Sequence, residues 1–334
     1  MQELKVTANE AGQRLDKLLT KYLNQAGKGF LYKMMRKKNI TLNGKKCEGA
    51  ERLNEGDVIR LFLSDETIDK FSQNASVPSF FPCASNSAGA VRLDIIYEDS
   101  HILIVNKPSG MLSQKAKESD ISLNEHILNH LIRSGRLTEE QLRTFKPSIC
   151  NRLDRNTSGL VTAGVSLAGL QVMNRVFKDR SIHKYYQCIV KGRLKEKQLI
   201  AGFLRKDEAT NTVDIYPLEV ENSVPIMTEY LPLAWGGGFT LLQVTLITGR
   251  SHQIRAHLAS IGHPILGDFK YGDRSVNEEM KKRYGLRAQL LHSWKLVMPE
   301  DLAAPLDYLA GREFFAPLPE KFSRVLEGEG IHSL

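Results

Sequence analysis

From about Arg92 onward the chain is a succession of short strand-like runs joined by short turns, with a few helical stretches between them. LDIIYEDSHILIVNKPSG reads as two strands joined at Glu98, Asp99 and Ser100, ending in the Pro108-Ser109-Gly110 turn. A strand from Gly159 to Val165 follows, then YYQCIVKG, TVDIYPL, MTEYLPLA and FTLLQVTLI. The helical stretches are SLNEHILNHLI, a run with Leu167, Leu170, Met173 and Phe177 on one face, and SHQIRAHLASIG. The first opens with Ser122 and has Glu125 three residues on, the capping-box pattern. So many strands with such short connections leave one economical solution: an α+β fold, a large and mostly antiparallel mixed sheet with helices packed on it.

The first 63 residues form a different kind of unit. QRLDKLLTKYL places Leu15, Leu18, Leu19, Tyr22 and Leu23 on one helical face. FLYKMMRKKN predicts a second short helix with Leu31, Met34 and Met35 inward, and ITLNGKK a strand entering an Asn43-Gly44 turn. LNEGDVIRLFL adds a further turn and strand. Charge is concentrated here: residues 1–63 hold 13 Lys and Arg against 7 Asp and Glu, in a chain whose net charge is +8. Six basic residues and no acid lie between Lys33 and Lys46. A lone cationic run is a solvated face; a run carried by a helix–helix–strand unit points to phosphate binding. The pattern over roughly residues 12–63 resembles the S-four-like RNA-binding module, named after a small-subunit ribosomal protein. That resemblance implies RNA contacts, as a group, for Lys33, Arg36, Lys37, Lys38, Lys45 and Lys46. Residues 64–91, with six serines, two prolines and no sustained periodicity, are expected to be a linker, with Phe71, Phe80 and Phe81 docking it locally. The expected division is therefore 1–63, 64–91 and 92–330.

Several classes of function find no support. The longest apolar stretches, such as Ile102 to Val105, are too short to span a bilayer. MQELKVTANE has neither the basic start nor the apolar core of a secretory signal. Cys47, Cys83, Cys150 and Cys188 are far apart and form no C-x-x-C pair, which fits a reducing cytoplasm and argues against a zinc site. His252, His257 and His263 lack the H-E-x-x-H spacing and are expected to be structural or close to RNA, with no metal. No glycine-rich phosphate loop signals a nucleotide cofactor.

Three polar clusters remain: NRLDRNTSGL at 151–160, HKYYQCIVKG at 183–192 and TGRSHQIRAHLASIGHPILGDFKYG at 248–272. With RLD, K-x-Y-x-x-x-V-x-G and GRSHQIR in this order, and with NKPSG at 106–110 and LLHSW at 290–294, the larger unit resembles the RluA-type pseudouridine synthases. The basic N-terminal unit makes the chain similar to the two-domain branch that acts on large-subunit ribosomal RNA. The reaction this implies breaks the bond between ribose and uracil, turns the base over and rejoins it through carbon. No atom enters or leaves, so no cofactor is expected.

The resemblance implies a role for each cluster. Asp154 is the catalytic aspartate. A buried carboxylate otherwise tends to take up a proton, and a cation at contact distance counters this. Arg255 is implied as that cation, able to grip both carboxylate oxygens, with Arg250 ranked second. Tyr186, two residues after the lysine of K-x-Y, is implied as the platform for the base in preference to Tyr185. Arg152 is implied to help hold the nucleotide out of its stack. Bland readings stand beside these: NRLDRNTSG as a solvated turn, Tyr186 as an inward strand residue, Arg255 as a surface helix arginine, and Asp268 as a turn residue with a structural role. One departure from the family is Asn151, where a histidine is common before RLD; it puts substrate placement in doubt. Cys188 replaces the usual small residue and is expected to pack. Alternatives are the same chemistry on transfer RNA and a non-catalytic RNA-binding or ribosome-assembly factor. A monomer is expected.

Overall fold

The computed structural model describes residues 1–7, 9–72 and 92–333. The N-terminal part runs β1 (Gln2–Lys5), α1 (Leu15–Tyr22), α2 (Lys28–Arg36), β2 (Ile40–Leu42), β3 (Lys45–Lys46), β4 (Val58–Leu61) and α3 (Asp65–Phe71). Its four strands lie in the order β1-β4-β2-β3. Leu15, Leu18, Leu19 and Tyr22 of α1 are buried as their spacing predicts, and meet Leu31, Met35, Ile40 and Ile59 in a core of their own. Met34, expected inward, is only half-buried at the edge of that core. The Asn43-Gly44 turn has positive φ at both residues, 51° and 73°, which is the twist a two-residue hairpin between β2 and β3 requires.

The unit does not stop at residue 63. Ser64 caps α3 by accepting a hydrogen bond from the Thr67 amide, Ile68 enters the core, and the Phe71 ring lies 4.5 Å from Phe30. The first part of the segment expected to be a linker is therefore a third helix of the small unit. Residues 73–91, with Phe80 and Phe81, lie outside the described residues.

The larger part comprises β5 (Ile95–Glu98), β6 (Ile102–Lys107), α4 (Leu123–Arg133), α5 (Glu139–Leu142), β7 (Ser148–Ile149), β8 (Ser158–Gly164), α6 (Leu167–Asp179) and β9 (His183–Lys191). It continues through β10 (Gln198–Asp207), β11 (Thr212–Tyr216), β12 (Val224–Gly236), β13 (Phe239–Leu246), α7 (Gln253–Ser260) and α8 (Arg274–Tyr284). Last come β14 (Leu291–Val297), β15 (Glu313–Phe315), α9 (Glu320–Gly328) and β16 (His332–Ser333). Twelve strands form one mixed sheet: nine lie along the path β11-β10-β12-β13-β9-β14-β8-β6-β5, and β15, β16 and β7 pair off it with β14, β12 and β8. Its pairings among the described residues are antiparallel except β14 with β8, where His292 and Ser293 face Ser158 and Gly159. The α+β class and the large mixed sheet read from the sequence are what the chain forms.

That parallel junction positions the site. β8 leaves the loop that carries Asp154, and β9, on the other side of β14, carries Tyr186. The strands approach so closely at Gly159 (φ 113°) that a Cβ there would lie 2.2 Å from the Ser293 carbonyl oxygen. α4 and α7 bury Ile127, Leu128, Ile254 and Leu258 against one face of the sheet; each such side chain contributes about 1.5–3 kcal/mol. α6 covers the other face. Its buried residues are Leu167, Gly169, Val172, Met173 and Val176, with Leu170 and Phe177 half-buried. The inward face thus keeps Leu167 and Met173 of the expected set and is turned from Leu170 and Phe177 toward Gly169, Val172 and Val176. Gly169 causes the shift: it sits where a Cβ would be 2.3 Å from the His101 carbonyl oxygen, drawing the helix down on its small side. No helix among the described residues is long and apolar enough to cross a membrane.

Candidate active site

The loop between β7 and β8 is held in shape by its own backbone and by three side chains. The Thr157 amide donates to the Asp154 carbonyl at 3.0 Å. Leu153 is buried in the main core and fixes the loop from below. Asn151, where a histidine is common, accepts from the Thr162 amide at 2.8 Å and donates to the Leu160 carbonyl at 3.2 Å, so its amide ties the loop to β8. The third is Lys107, fully buried at the end of β6. Its Nζ donates to the carbonyls of Pro108 (3.0 Å), Met111 (2.9 Å) and Arg155 (3.1 Å), joining the NKPSG turn to the Asp154 loop. Burial pushes its pKa down to about 7, with Asp154 pulling it up.

Asp154 is left partly open, its side chain 26% exposed. Its Oδ2 accepts from Arg255 Nη1 at 2.9 Å, while Oδ1 accepts no hydrogen bond among the described residues. Arg255, on α7, is buried, and it divides its donors unequally. The two-pronged grip goes to Asp268, with Nε to Oδ2 at 2.7 Å and Nη2 to Oδ1 at 2.9 Å. Asp154 receives one prong, so the two-oxygen grip of which Arg255 is capable goes to Asp268 instead. Asp268 is a turn residue as expected and also the buried anchor of the guanidinium. Its Oδ1 accepts from the Lys270 and Tyr271 amides, and its own carbonyl accepts from Asn277. Burial pushes the Asp268 carboxyl up, but the Arg255 hydrogen bonds and charge outweigh this and hold it below the usual carboxylate range. Burial likewise works against the Arg255 charge, and Asp268 and then Asp154 more than restore it.

Gln253 explains why α7 sits where it does. Its buried amide donates to the Met227 carbonyl and Thr228 Oγ1, both at 3.0 Å, and accepts from Thr248 Oγ1 and the Arg250 amide. It therefore clamps the start of the helix to β12. Arg250 itself is exposed, and its guanidinium has no ion pair with Asp154. Tyr186 is buried on β9 and lines the same cleft as Asp154; Tyr185, next along the strand, points to the opposite face and lies under Lys295. Burial pushes the Tyr186 hydroxyl up to about 12.

The cleft has a volume of about 870 Å³. Arg152, Asp154, Tyr186, Arg250 and Arg255 all line it, so the three clusters dispersed over a hundred residues of sequence meet at one place. Arg152 is exposed at its mouth.

The model of the family described as RNA pseudouridylate synthase matches residues 101–260, which carry Asp154, Tyr186 and Arg255. The chain belongs to the RluA-type RNA pseudouridine synthases. It is 29% identical over 334 residues to the ribosomal large subunit pseudouridine synthase C of Vibrio vulnificus, covering 98% of this chain and 96% of that protein. It is 27% identical to the Escherichia coli protein of the same name, covering 86% and 85%. A ribosomal large subunit pseudouridine synthase D, from Nitrosomonas europaea, is 27% identical over 97% of this chain and 87% of its own length. Among solved structures, human RNA pseudouridylate synthase domain containing 4 shares the fold with a TM-score of 0.57 at 20% identity, covering 71% of this chain and 93% of its own.

The synthase contains functional neighbours that its sequence did not single out. Lys107 and Gln253 fix the two backbones that carry Asp154 and Arg255, but in sequence they are a lysine before a turn and a glutamine in a helix. The histidines are dispersed: His257 Nδ1 pairs with Thr228 Oγ1, His263 Nδ1 with the Lys191 carbonyl, and His252 alone lines the cleft. Among the described residues no group of three or more His, Cys, Asp or Glu side chains could hold a metal ion. Some 100 residues away in sequence, Lys33, Arg36, Lys37, Lys38, Lys45 and Lys46 are all exposed on α2, β3 and the turn after α2, and none is engaged in an ion pair among the described residues.

Proposed function

We propose that the synthase isomerises uridines of large-subunit ribosomal RNA, and that it does so at Asp154. The observation that carries this reading is the charge of the cleft: one carboxylate, Asp154, among ten lysines and arginines. Such a surface draws phosphates to its walls and offers an anion in a single place. Asp154 supplies the carboxylate for the covalent or proton chemistry, and Arg255, immobilised by Asp268, stays beside it as a fixed positive charge. Tyr186 gives a flat apolar surface for the extruded base. Its hydroxyl, held protonated by burial, can donate to or exchange a proton with the base late in the reaction. Arg152 and Arg250 stand at the exposed side of the cleft, where contacts to phosphate offset the few kcal/mol, roughly, of drawing a nucleotide out of its stack.

The small unit holds the RNA at a distance from the chemistry, as an S-four-like module does, through the six exposed cations of α2, the turn after it and β3. The names of the relatives, ribosomal large subunit pseudouridine synthases C and D, support ribosomal RNA as the substrate. The test is a map of pseudouridine across all cellular RNA with and without the protein. One or more large-subunit ribosomal positions should revert to uridine in its absence; losses confined to transfer RNA would replace the substrate assigned here.

A further inference from the structure

His252 is the residue of the GRSHQIR cluster that the reaction has not yet used. It occupies the position before α7 with φ 54° and ψ 11°, a left-handed conformation uncommon for a residue other than glycine. Its Nδ1 lies 2.8 Å from the Tyr271 hydroxyl, and its Nε2 faces Asp154 Oδ2 at 3.9 Å. The Tyr271 oxygen already accepts from the Val213 amide at 2.9 Å. A phenol has one proton to give, and the nearby acceptor is His252 Nδ1. Nδ1 is then unprotonated and the neutral ring carries its hydrogen on Nε2. The opposite tautomer would turn a lone pair toward a carboxylate, so both ends of the ring select the same form.

We propose that His252 is a positioning residue for the catalytic carboxylate: Tyr271 fixes its Nε2–H toward Asp154 Oδ2, so that Oδ2 is claimed by His252 and Arg255 and Oδ1 is presented to the nucleotide. The inference rests on Asp154 being that carboxylate. The gap of 3.9 Å exceeds a hydrogen bond, and it closes when a bound nucleotide displaces water and the carboxylate turns, as hydrogen bonds at resting active sites commonly tighten on binding. Tyr271 serves both donors. Its ring meets the His252 ring edge-on with centroids 5.6 Å apart, and the Arg255 guanidinium lies 5.1 Å from its centroid. Its amide also donates to Asp268, the anchor of Arg255. The turn from Asp268 to Tyr271 thus sets both groups that face Oδ2.

The charged and titratable groups around the ring are Asp154 from the loop before β8, Arg255 on α7, and Asp268, Lys270 and Tyr271 from the turn after α7. Burial holds the imidazole below its ordinary value; Asp154 opposes this, and Arg255 and Lys270 add to it. The ring is therefore neutral at pH 7, the state that the hydrogen-bond pattern requires.

The experiment compares kcat and KM for pseudouridine formation in transcribed large-subunit ribosomal RNA across His252→Asn, His252→Gln and Tyr271→Phe, with Asp154→Asn as reference. Asparagine tolerates the left-handed backbone, but its amide ends at the place of Nδ1; glutamine reaches the place of Nε2. His252→Asn should lower kcat about tenfold with KM changed by less than about twofold. Its kcat profile should lose activity at higher pH on the acid side, because the ionised carboxylate has lost a donor. His252→Gln should recover most of the rate, and Tyr271→Phe should fall between. A rise in KM at unchanged kcat, a fall in kcat with an unmoved acid limb, or a Gln variant no better than Asn would each overturn the proposal. If Asp154→Asn is inactive while His252→Asn matches the wild type, this inference alone fails. An active Asp154→Asn removes the reading of the site on which it stands.

Discussion

Arg255 directs two donors to Asp268 and one to Asp154, and this asymmetry has consequences for stability as well as for chemistry. Asp268 has 1% of its side chain exposed, so replacing it by asparagine leaves a buried guanidinium with half of its compensation. Asp268→Asn should cost about 3–5 kcal/mol of stability and most of the activity. Because the folded carboxyl is held below the unfolded value near 4, the unfolded chain binds a proton first as pH falls. The contribution of Asp268 is therefore complete above about pH 4 and fades below it as the folded group is protonated. Thermal melts at pH 7 and pH 3.5 should show a smaller difference between wild type and Asp268→Asn at the lower pH. At this scale RLD, K-x-Y and HQIR, which meet at one cleft, could be picked out of the chain because each sets a polar or charged side chain in a recognisable neighbourhood. The division of the guanidinium could not: Asp154 and Asp268 are both acids, and only folding decides which one receives the fork. Lys107, Gln253 and the orientation of His252 were hidden for the same reason, since each acts on a backbone or side chain remote in sequence.

Among the elements, β8 and β14 form the junction on which the site stands, and Gly159 permits it. Gly159→Ala places a methyl 2.2 Å from a backbone oxygen at φ 113°, so strands must separate. A loss of about 3 kcal/mol or more is expected, with activity falling along with the melting temperature. The same junction carries a pH dependence. His292 is buried, donating from Nε2 to the Ala316 carbonyl and accepting at Nδ1 from Ser158 Oγ. Burial lowers its pKa to about 4. Between about pH 6.5 and 4 the unfolded chain takes up a proton that the folded chain resists, so stability should fall by up to about 3 kcal/mol across that window. Denaturant titrations at pH 7.5 and pH 5 check it, and His292→Gln should flatten the difference. The long alternating strands and the α1 face were legible because several apolar positions repeat at one period. α3 was missed because Ile68 and Phe71 are only two points, too few to define a period inside a serine-rich segment. The rotated face of α6 was missed because Gly169 packs by having no side chain, which hydrophobic spacing does not register.

Across the whole molecule, the excess of positive charge falls on two surfaces: the cleft walls and the exposed cations of the small unit. Both suit a polyanion, and they differ in what their loss should do. Replacing Lys37, Lys38, Lys45 and Lys46 together by alanine should reduce the slope of log affinity against log salt by about 3–4, while rates on short RNA substrates stay near wild type. Filter-binding titrations over a range of salt measure the slope; an unchanged slope would move the RNA-binding face elsewhere. The architecture, an N-terminal basic unit followed by a large mixed sheet, could be read from charge distribution and strand count. Which RNA surface bridges the two units is fixed by shapes that no stretch of this sequence encodes alone.

The central claim is that one carboxylate, Asp154, carries the reaction with Arg255 beside it. Its most direct test is the yield of pseudouridine from transcribed large-subunit ribosomal RNA incubated with Asp154→Asn, a substitution that keeps shape and removes the anion. The rate should fall by roughly a thousandfold or more with the protein folded and RNA affinity retained. Pseudouridine formed by that variant at the wild-type rate would contradict the account.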